Sequence, residues 1–407
     1  MDFFKTFCAA ALAAFAANLA SEARAENGWN GYDVAAFVWP AYHAEPRWAE
    51  LGIFAHGCGE WQNVYEATPK FEGHREPIEP LWGYEKEDNP VAAARKIDAA
   101  LAAGINVFIY DWYWYGGRPF LENALNNGFL KAPNCERMRF YIMWANHYVT
   151  PLWDNKAGSA QKSKKLWSPL ASLEEFRTVI APRWLKQYFC KPNYYKINNK
   201  PVVSIFNFWN FVGGVGGLEN AREAIKFLDD ECRKAGFAGV HIQPTVYLAK
   251  KPPYTLPGKP DCTFAEIFEY LGISSTTVYN WPSLDKIEHL KPYRQWGENS
   301  FARFDAVKKL YGVQFFPNVT IGWDNNSRYP KGEMQPVILP NPKDYEHFLR
   351  RAKDWADKNI PAGLPKLITI NAWNEWTEGN ILEPDKKSGY DFLNATARVF
   401  GGSGQAK

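Results

Sequence analysis

The 407-residue sequence is 46% hydrophobic and 22% charged, a globular composition that excludes disorder, collagen and coiled coil. Its 47 basic and 44 acidic residues give a formal net charge of +3 without a basic run, so we expect no nucleic-acid partner. Eighteen Trp, 21 Tyr and 27 Phe make up 16% of the chain, and this surplus suggests a cleft with flat aromatic walls, a surface suited to sugars.

The first 25 residues have the pattern of a secretory signal peptide. Lys5 precedes an apolar stretch over residues 7–20, and Ala23-Arg24-Ala25 forms a small-x-small cleavage site. The stretch is too short and too rich in alanine to span a bilayer well, although a retained anchor is the alternative. We therefore expect a secreted or periplasmic mature chain without stable membrane insertion after signal cleavage.

Cysteine and histidine spacing predicts no metal site. Cleavage would leave Cys58, Cys135, Cys190, Cys232 and Cys262, which cannot all pair and which form no C-x-x-C motif. An exported chain could hold a single disulfide, but free and mostly buried thiols are the interpretation we favour. The seven His show neither H-x-x-x-H nor H-E-x-x-H spacing.

Eight short β-rich runs alternate with amphipathic helical patterns along the mature chain. The predicted strands are residues 34–39, 106–110, 139–145, 201–206, 239–246, 276–279, 314–321 and 367–372. The predicted helices are residues 90–103, 119–129, 172–188, 218–235, 264–271, 298–311, 343–358 and 389–399. Apolar strands that alternate with helices need a parallel sheet covered on both sides, and eight such units close into a barrel.

The predicted fold class is therefore α/β, a (β/α)8 TIM barrel that forms a single domain over residues 26–400 with long βα loops. Residues 401–407 are predicted to be a flexible tail. A doubly wound open sheet is the alternative fold, but such folds usually carry a phosphate-binding glycine loop. The glycine-rich stretch at 213–217 lacks the G-x-G-x-x-G spacing after a strand, and a flexible βα loop explains it more simply.

The predicted first loop is unusually long and covers residues 40–89. Long connections in compact domains are usually functional, and in a barrel this loop lies on the carboxyl-terminal face, where substrates bind. Its candidate substrate-binding residues are Tyr42, His43, Glu60 and Trp61.

The last predicted strand runs into Asn374-Glu375-Trp376-Thr377-Glu378, where two carboxylates leave the barrel three residues apart. Glycoside cleavage needs one carboxyl to protonate the departing oxygen and a second carboxylate to act as base or nucleophile. Aromatic neighbours raise one pKa by desolvation, and the neighbouring charge separates the two pKa values. We therefore predict Glu375 and Glu378 as catalytic residues, with a pair of solvated loop acids as the alternative.

Polar and aromatic residues also follow the second, third and seventh predicted strands. Residues 110–117 hold five aromatics and one acid, which suggests a sugar platform, with an aromatic core layer as the alternative. For Asp324 and Arg328 the alternative is an internal salt bridge. The candidate substrate-binding residues in these segments and in the strand-eight motif are Asp111, Tyr113, Trp114, Asn146, His147, Trp323, Asp324, Arg328, Asn374 and Trp376.

These residues resemble the WbsX-type family, whose barrel is similar to that of glycoside hydrolase family 99, the endo-α-mannosidases. The resemblance covers nearly the whole mature chain. The matching segments are residues 60–64, 69–74, 194–197, 200–202 and 322–325, and most specifically Asn374-Glu375-Trp376-Thr377-Glu378-Gly379. Many family chains carry Asn-Glu-Asn-Trp after the third strand, where this chain has Asn146-His147-Tyr148-Val149.

The resemblance also implies a division of roles between the two acids. In the mannosidase motif the first Glu acts as a base on the 2-hydroxyl of the sugar, which gives a 1,2-anhydro intermediate. The second Glu is the general acid/base. Carried over, Glu375 takes the first role and Glu378 the second.

The sequence thus predicts an exported, retaining glycoside hydrolase that acts on a polysaccharide or oligosaccharide without a cofactor. A WbsX-type glycosyltransferase in polysaccharide biosynthesis is one alternative, and a carbohydrate-binding barrel without catalysis is another. The predicted signal peptide favours hydrolysis over transfer, because nucleotide-sugar donors are cytoplasmic.

Overall fold

A computed structural model describes residues 31–401, so the predicted signal peptide and nearly all of the predicted tail lie outside the described residues. Eight strands follow the predicted series and are numbered here in chain order. They are β1 (Tyr32–Val38), β2 (Val107–Tyr115), β3 (Arg139–Trp144), β4 (Lys200–Ile205), β5 (His241–Pro244), β6 (Ser275–Thr276), β7 (Asn318–Thr320) and β8 (Lys366–Asn371).

The strands close into a ring. Neighbours from β1 to β5 pair in parallel, and β8 pairs in parallel with both β1 and β7. At β6 the ring is completed through a Thr245–Thr277 bridge to β5 and through parallel pairing with Gln314–Phe315, just ahead of β7. Pro317 interrupts this seventh strand, since proline has no N–H for the ladder. The predicted (β/α)8 barrel is confirmed, and the open doubly wound sheet is excluded.

Helices cover the barrel. They are α1 (Trp48–Leu51), α2 (Trp61–Glu66), α3 (Pro90–Ala102), α4 (the continuous helical run Leu173–Glu175, Phe176–Ile180, Ala181–Trp184 and Leu185–Phe189), α5 (Phe208–Val215), α6 (Leu218–Lys234), α7 (Phe264–Leu271), α8 (Tyr293–Phe301), α9 (Phe304–Tyr311), α10 (Pro342–Asn359) and α11 (Asp391–Phe400). Local sequence sets several starts: Asn89 caps α3 by accepting from the Val91 N–H, and Thr263 and Glu266 form a capping box on α7.

Two predicted helices were wrong in part. The predicted helix 119–129 begins within the short strand Arg118–Phe120, which pairs antiparallel with β2. Its later part is helical, as the π-helix Ala124–Gly128 followed by the 3-10 helix Phe129–Lys131. Gly116 and Gly117 have φ of 58° and 74°, a conformation that glycine adopts without strain, and they turn the chain back on β2. The predicted helix 298–311 is two helices, α8 and α9.

The structure also shows the positions of the glycine-rich stretch and the cysteines, and whether any described helix could cross a membrane. The glycine stretch ends α5 and links it to α6, with Gly216 in the left-handed conformation, so it is a helix connection. All five described cysteines are free, but only Cys232 and Cys262 are buried. Within residues 31–401, no helix combines the length and the apolar character needed to cross a membrane.

Candidate active site

A cavity of about 260 Å³ lies where the carboxyl ends of the strands meet the long loops. This volume is below the ~300 Å³ at which pockets for drug-sized ligands begin, which suits a small polar ring. The lining residues are Trp39, Asp111, Tyr113, Ala145, His147, Leu152, Trp153, Phe206, Tyr279, Arg328, Glu375 and Glu378. Aromatic faces therefore enclose a cluster of acids with a single guanidinium.

A tight hairpin brings both predicted catalytic acids into this cavity. After β8, the two-residue strand Asn374–Glu375 pairs antiparallel with Asn380–Ile381, and Trp376–Glu378 forms a 3-10 turn between them. Gly379 closes the hairpin at φ 64°, and a Cβ there would lie 3.0 Å from the Asp324 Cβ. Glycine is thus required by both conformation and space.

Arg328 joins the acids to one another. Its Nη1 donates to Glu378 Oε1 at 2.7 Å, and its Nη2 lies 3.5 Å from Glu375 Oε2. Its Nε and Nη2 also donate to the two carboxylate oxygens of Glu60, at 2.7 and 3.2 Å. A planar guanidinium with five donors can serve several carboxylates at fixed angles, which a lysine cannot do.

The two acids have different surroundings. Glu375 Oε1 accepts a 2.9 Å hydrogen bond from the Tyr279 hydroxyl, whereas Glu378 Oε2 is buried and has no hydrogen-bond partner among the described residues. Burial raises the pKa of both carboxyls, and the charge of Glu378 raises the pKa of Glu375 further. Arg328 opposes the rise, and at Glu378 its charge and its hydrogen bond both hold the pKa down. Burial and mutual repulsion thus oppose the ionisation of both carboxyls together, and Arg328 is the cation that counteracts them.

Strand β2 separates cavity residues from packing residues by alternation. Asp111 and Tyr113 line the cavity, and burial raises the pKa of Asp111, with the charge of Glu378 adding to the rise and a hydrogen bond from Tyr113 opposing it. Trp114 points to the other face, where it stacks on Trp112 and donates to Glu175 of α4 at 2.7 Å. The platform interpretation of Trp114 is therefore corrected, because successive side chains of a strand face opposite sides.

Several other predicted binding residues support the site from behind instead of lining the cavity. Glu60 holds Arg328, and Trp61 packs between Tyr42 and Trp376, with ring centroids 4.2 and 5.4 Å away. The Trp376 backbone N–H donates to the Tyr42 hydroxyl at 2.9 Å.

Four more predicted binding residues lie outside the cavity. His43 is fully buried, and burial lowers its pKa to about 4. Asn374 bonds the backbone N and O of Trp39, each at 2.8 Å, and Asn146 bonds the backbone of Asn207. Trp323 is half-buried and pairs through its backbone with Ile338.

Asp324 was predicted to bind substrate but does not line the cavity, and instead it shapes the loop that carries Arg328. The alternative, a salt bridge between Asp324 and Arg328, is not among the ion pairs of residues 31–401, where Arg328 pairs with Glu60, Glu375 and Glu378. Its Oδ1 accepts from the backbone and side chain of Asn326, and its Oδ2 lies 2.6 Å from His74 Nε2. Together with Glu76, these two residues form a cluster of potential metal ligands within 4.8 Å. His74 Nδ1 accepts from the Lys70 N–H at 3.0 Å, so Nε2 carries the ring proton and donates to Asp324. These bonds satisfy the imidazole, and we interpret the cluster as structural.

A buried ion cluster lies beneath the hairpin. Lys96 of α3 pairs with Glu87 and, at 2.7 Å, with Glu383. Glu87 accepts from the Asn374 side chain at 3.1 Å, and Glu383 accepts from the Trp376 indole at 2.9 Å. The residues on either side of Glu375 are thus fixed to the first barrel helix.

Six lining residues were missed by the sequence analysis: Trp39, Ala145, Leu152, Trp153, Phe206 and Tyr279. Trp39, Ala145, Phe206 and Tyr279 are the last residues of predicted strands, so the strand-end rule could have found them. Leu152 and Trp153 belong to a loop where periodicity carries no signal.

A comparison with protein families identifies the chain. The family described as "Glycosyltransferase WbsX" matches residues 34–396. The chain belongs to this WbsX family. It is 26% identical over 367 residues to "Uncharacterized protein WxcX" from two strains of Xanthomonas campestris pv. campestris, which covers 89% of this chain and 49% of the relative. The chain thus spans about half the length of the curated relatives it matches.

Two solved structures similar to this WbsX-family chain are named as a glycoside hydrolase and a glycoside hydrolase-like protein. The GH99 endo-α-mannosidase from Bacteroides thetaiotaomicron, in complex with bis-tris propane, matches with a TM-score of 0.55 and 13% identity over 91% of this chain and 97% of that chain. A "Glycoside hydrolase-like protein" matches with a TM-score of 0.55 and 12% identity over 91% and 94%. At these identities the likeness establishes the TIM-barrel fold alone.

Proposed function

We propose that this WbsX-family protein is a glycoside hydrolase that cleaves glycosidic bonds in a polysaccharide or oligosaccharide. The observation that carries the proposal is that Glu375 and Glu378 line one aromatic-walled cavity and share the guanidinium of Arg328. Two carboxyls on one sugar-sized cavity are the minimum that glycoside hydrolysis needs.

Glu378 is proposed as the general acid/base and Glu375 as the base toward the 2-hydroxyl of the sugar, which gives a 1,2-anhydro intermediate. Arg328 anchors one oxygen of Glu378 and leaves Oε2 for the glycosidic oxygen. Burial raises the pKa of both carboxyls, so Glu375 can act as a base only if its carboxylate is stabilised when substrate binds. A 2-hydroxyl that donates to Glu375 supplies this stabilisation, because a hydrogen bond to the charged form lowers its pKa.

Paired variants test the roles. Glu378→Gln should abolish turnover of ordinary glycosides but spare some cleavage of aryl glycosides, whose leaving group departs without a proton. Glu375→Gln should lose both, and the wild type should fail on 2-deoxy glycosides. The substrate for these assays is first identified by screening a panel of glycans with the wild type and detecting new reducing ends.

The outcomes separate mechanism from function. Normal cleavage of the 2-deoxy glycoside would leave glycoside hydrolysis standing and eliminate only the anhydro route. Turnover equal to wild type in both Gln variants would overturn the catalytic assignment. Tight glycan binding without turnover in the wild type would favour a binding barrel instead.

Glycosyl transfer is the second candidate, because the family description names it. It requires a nucleotide-sugar donor, so incubation with a panel of such donors should release free nucleoside diphosphate if transfer is the activity. Release that depends on an acceptor glycan, together with no hydrolysis across the glycan panel, would establish transfer.

Export is proposed with the hydrolase, on the signal-peptide pattern of residues 1–25. Mature protein recovered from outside the cytoplasm should begin at Glu26. Amino-terminal sequencing checks this, and an intact cytoplasmic form that begins at Met1 would contradict export and favour the transferase.

A further inference from the structure

His147 is held in the cavity wall by three aromatic rings. Its ring centroid lies 5.7 Å from Tyr113, 6.0 Å from Trp153 and 5.8 Å from Phe206, each at a steep angle. All three neighbours also line the cavity. The imidazole therefore has a fixed orientation before any ligand arrives.

Hydrogen bonding settles which nitrogen carries the proton. Nδ1 lies 3.0 Å from the backbone carbonyl of Tyr148, and a carbonyl only accepts, so Nδ1 is the N–H donor. Burial lowers the pKa of His147, with the hydrogen bond to Tyr148 opposing this shift and the charge of Arg328 adding to it, so the neutral ring is favoured. Nε2 is consequently a bare acceptor.

That acceptor is open to the cavity. Within residues 31–401, Nε2 has no hydrogen-bond partner, and His147 is half-buried with its ring in the cavity lining. The other ionisable groups that line the cavity are Asp111, Arg328, Glu375 and Glu378, together with two tyrosines. A neutral acceptor among these groups can take a hydroxyl proton without adding charge.

We propose that His147 is a specificity-determining residue whose Nε2 accepts a hydrogen bond from one hydroxyl of the sugar that occupies the cavity. This inference rests on the proposed function only in that a sugar binds there, not in that it is cleaved. The requirement is directional, because the sugar must supply a donor at that position. Sugars that present an ether, a fluorine or a carboxylate there are disfavoured.

Binding measurements test this without turnover. Trp39 and Trp153 line the cavity, so their fluorescence reports occupancy. The probes are methyl α- and β-glycosides of neutral hexoses, and for the best binder the set in which each hydroxyl in turn is replaced by fluorine. Fluorine keeps an acceptor but removes the donor.

For the wild type, one fluorinated sugar should bind about three- to tenfold more weakly than its parent, the range of one neutral hydrogen bond. His147→Phe, which keeps an aromatic ring in the cavity wall, should bind the parent sugar more weakly than the wild type does, by the same factor. It should bind that fluorinated sugar as tightly as the wild type does. His147→Gln, whose side-chain oxygen can accept, should recover part of the loss. The exposed His289→Phe is the matched control and should bind like the wild type.

Three results would overturn the proposal. In the first, His147→Phe binds the parent sugar as tightly as the wild type does. In the second, the variant binds every fluorinated sugar more weakly than the wild type does, by the same factor, which would mean that His147 only shapes the cavity wall. In the third, the wild type binds no neutral glycoside. The proposed hydrolase function is tested separately, by the turnover of the Glu375 and Glu378 variants, so it can fail while this inference stands.

Discussion

Glu60 and Arg328 lie 268 positions apart in the chain and meet through two hydrogen bonds, both fully inside the protein. Glu60 also accepts from the Trp39 indole at 2.6 Å. The long first loop and the loop after β7 are thereby locked together, with Nη1 of Arg328 left to hold Glu378. The guanidinium is fixed before substrate binds, which is how enzymes avoid reorganisation during the reaction.

Arg328→Lys should therefore lower kcat by roughly 100-fold or more, the cost of losing one fixed charge-stabilising donor. A lysine ammonium keeps the charge but cannot reach Glu60 and Glu378 at the same angles. Steady-state kinetics on the best glycoside from the panel measures the effect. Arg294→Lys, at a half-exposed ion pair on α8, is the control and should retain activity. An Arg328→Lys enzyme with wild-type kcat would contradict the assigned role.

The two neighbours Tyr113 and Trp114 should respond oppositely to substitution. Trp114→Ala removes a ring packed between β2 and α4, so the free energy of unfolding should fall by about 3–5 kcal/mol while KM stays near wild type. Tyr113→Phe removes only a hydroxyl and keeps the ring in place, so the free energy of unfolding should fall by about 1.5 kcal/mol at most, while KM or kcat should change because Tyr113 lines the cavity. Chemical denaturation and kinetics on the same preparations distinguish them. A Trp114→Ala protein with normal stability and impaired glycan binding would restore the platform interpretation.

Lys96→Met should destabilise the protein by about 3–5 kcal/mol, because it leaves the carboxyls of Glu87 and Glu383 buried without their cation. Adding Glu87→Gln and Glu383→Gln to Lys96→Met should recover part of this loss, since no buried charge then remains unpaired. Lys226→Met, on the exposed face of α6, is the control. The free energy of unfolding in urea is the measurement. A Lys96→Met protein as stable as the control would mean that the cluster carries no net charge interaction.

The free energy of unfolding should change with pH in a way that depends on Glu87. Burial raises the pKa of Glu87 to about 7, against an ordinary value of 4.5, with Lys96 opposing the rise and Glu383 adding to it. Between these values the folded state binds more protons than the unfolded state, so the free energy of unfolding falls as pH rises from about 4.5 to 7. In Glu87→Gln this fall should be smaller. Identical slopes in the two proteins would contradict the raised pKa.

The barrel could be predicted from the sequence because its strands are short apolar runs at regular intervals. All eight predicted strands overlap an observed strand. The predicted helix 119–129 was wrong at its start, because two left-handed glycines and a pairing partner on β2 outweighed the helical pattern there. Such pairing is a tertiary contact that local periodicity does not contain.

The site could be predicted in part. Strand-end position was enough to find Glu375, Glu378, Asp111 and Tyr113. It did not show that Glu60 and Asp324 would turn away from the cavity toward Arg328 and His74, because both contacts join segments more than 200 positions apart. Buried partners of this kind decide whether a polar residue meets substrate or supports one that does.

The alternation along β2 has a practical consequence for changing what the protein acts on. Positions 111 and 113 line the cavity, while 112 and 114 pack in the outer layer, so the cavity lining and the outer packing lie one residue apart on opposite sides of a single strand. A library that randomises only positions 111 and 113, with Trp112 and Trp114 left intact, would therefore vary the cavity lining while the outer packing of β2 stays in place.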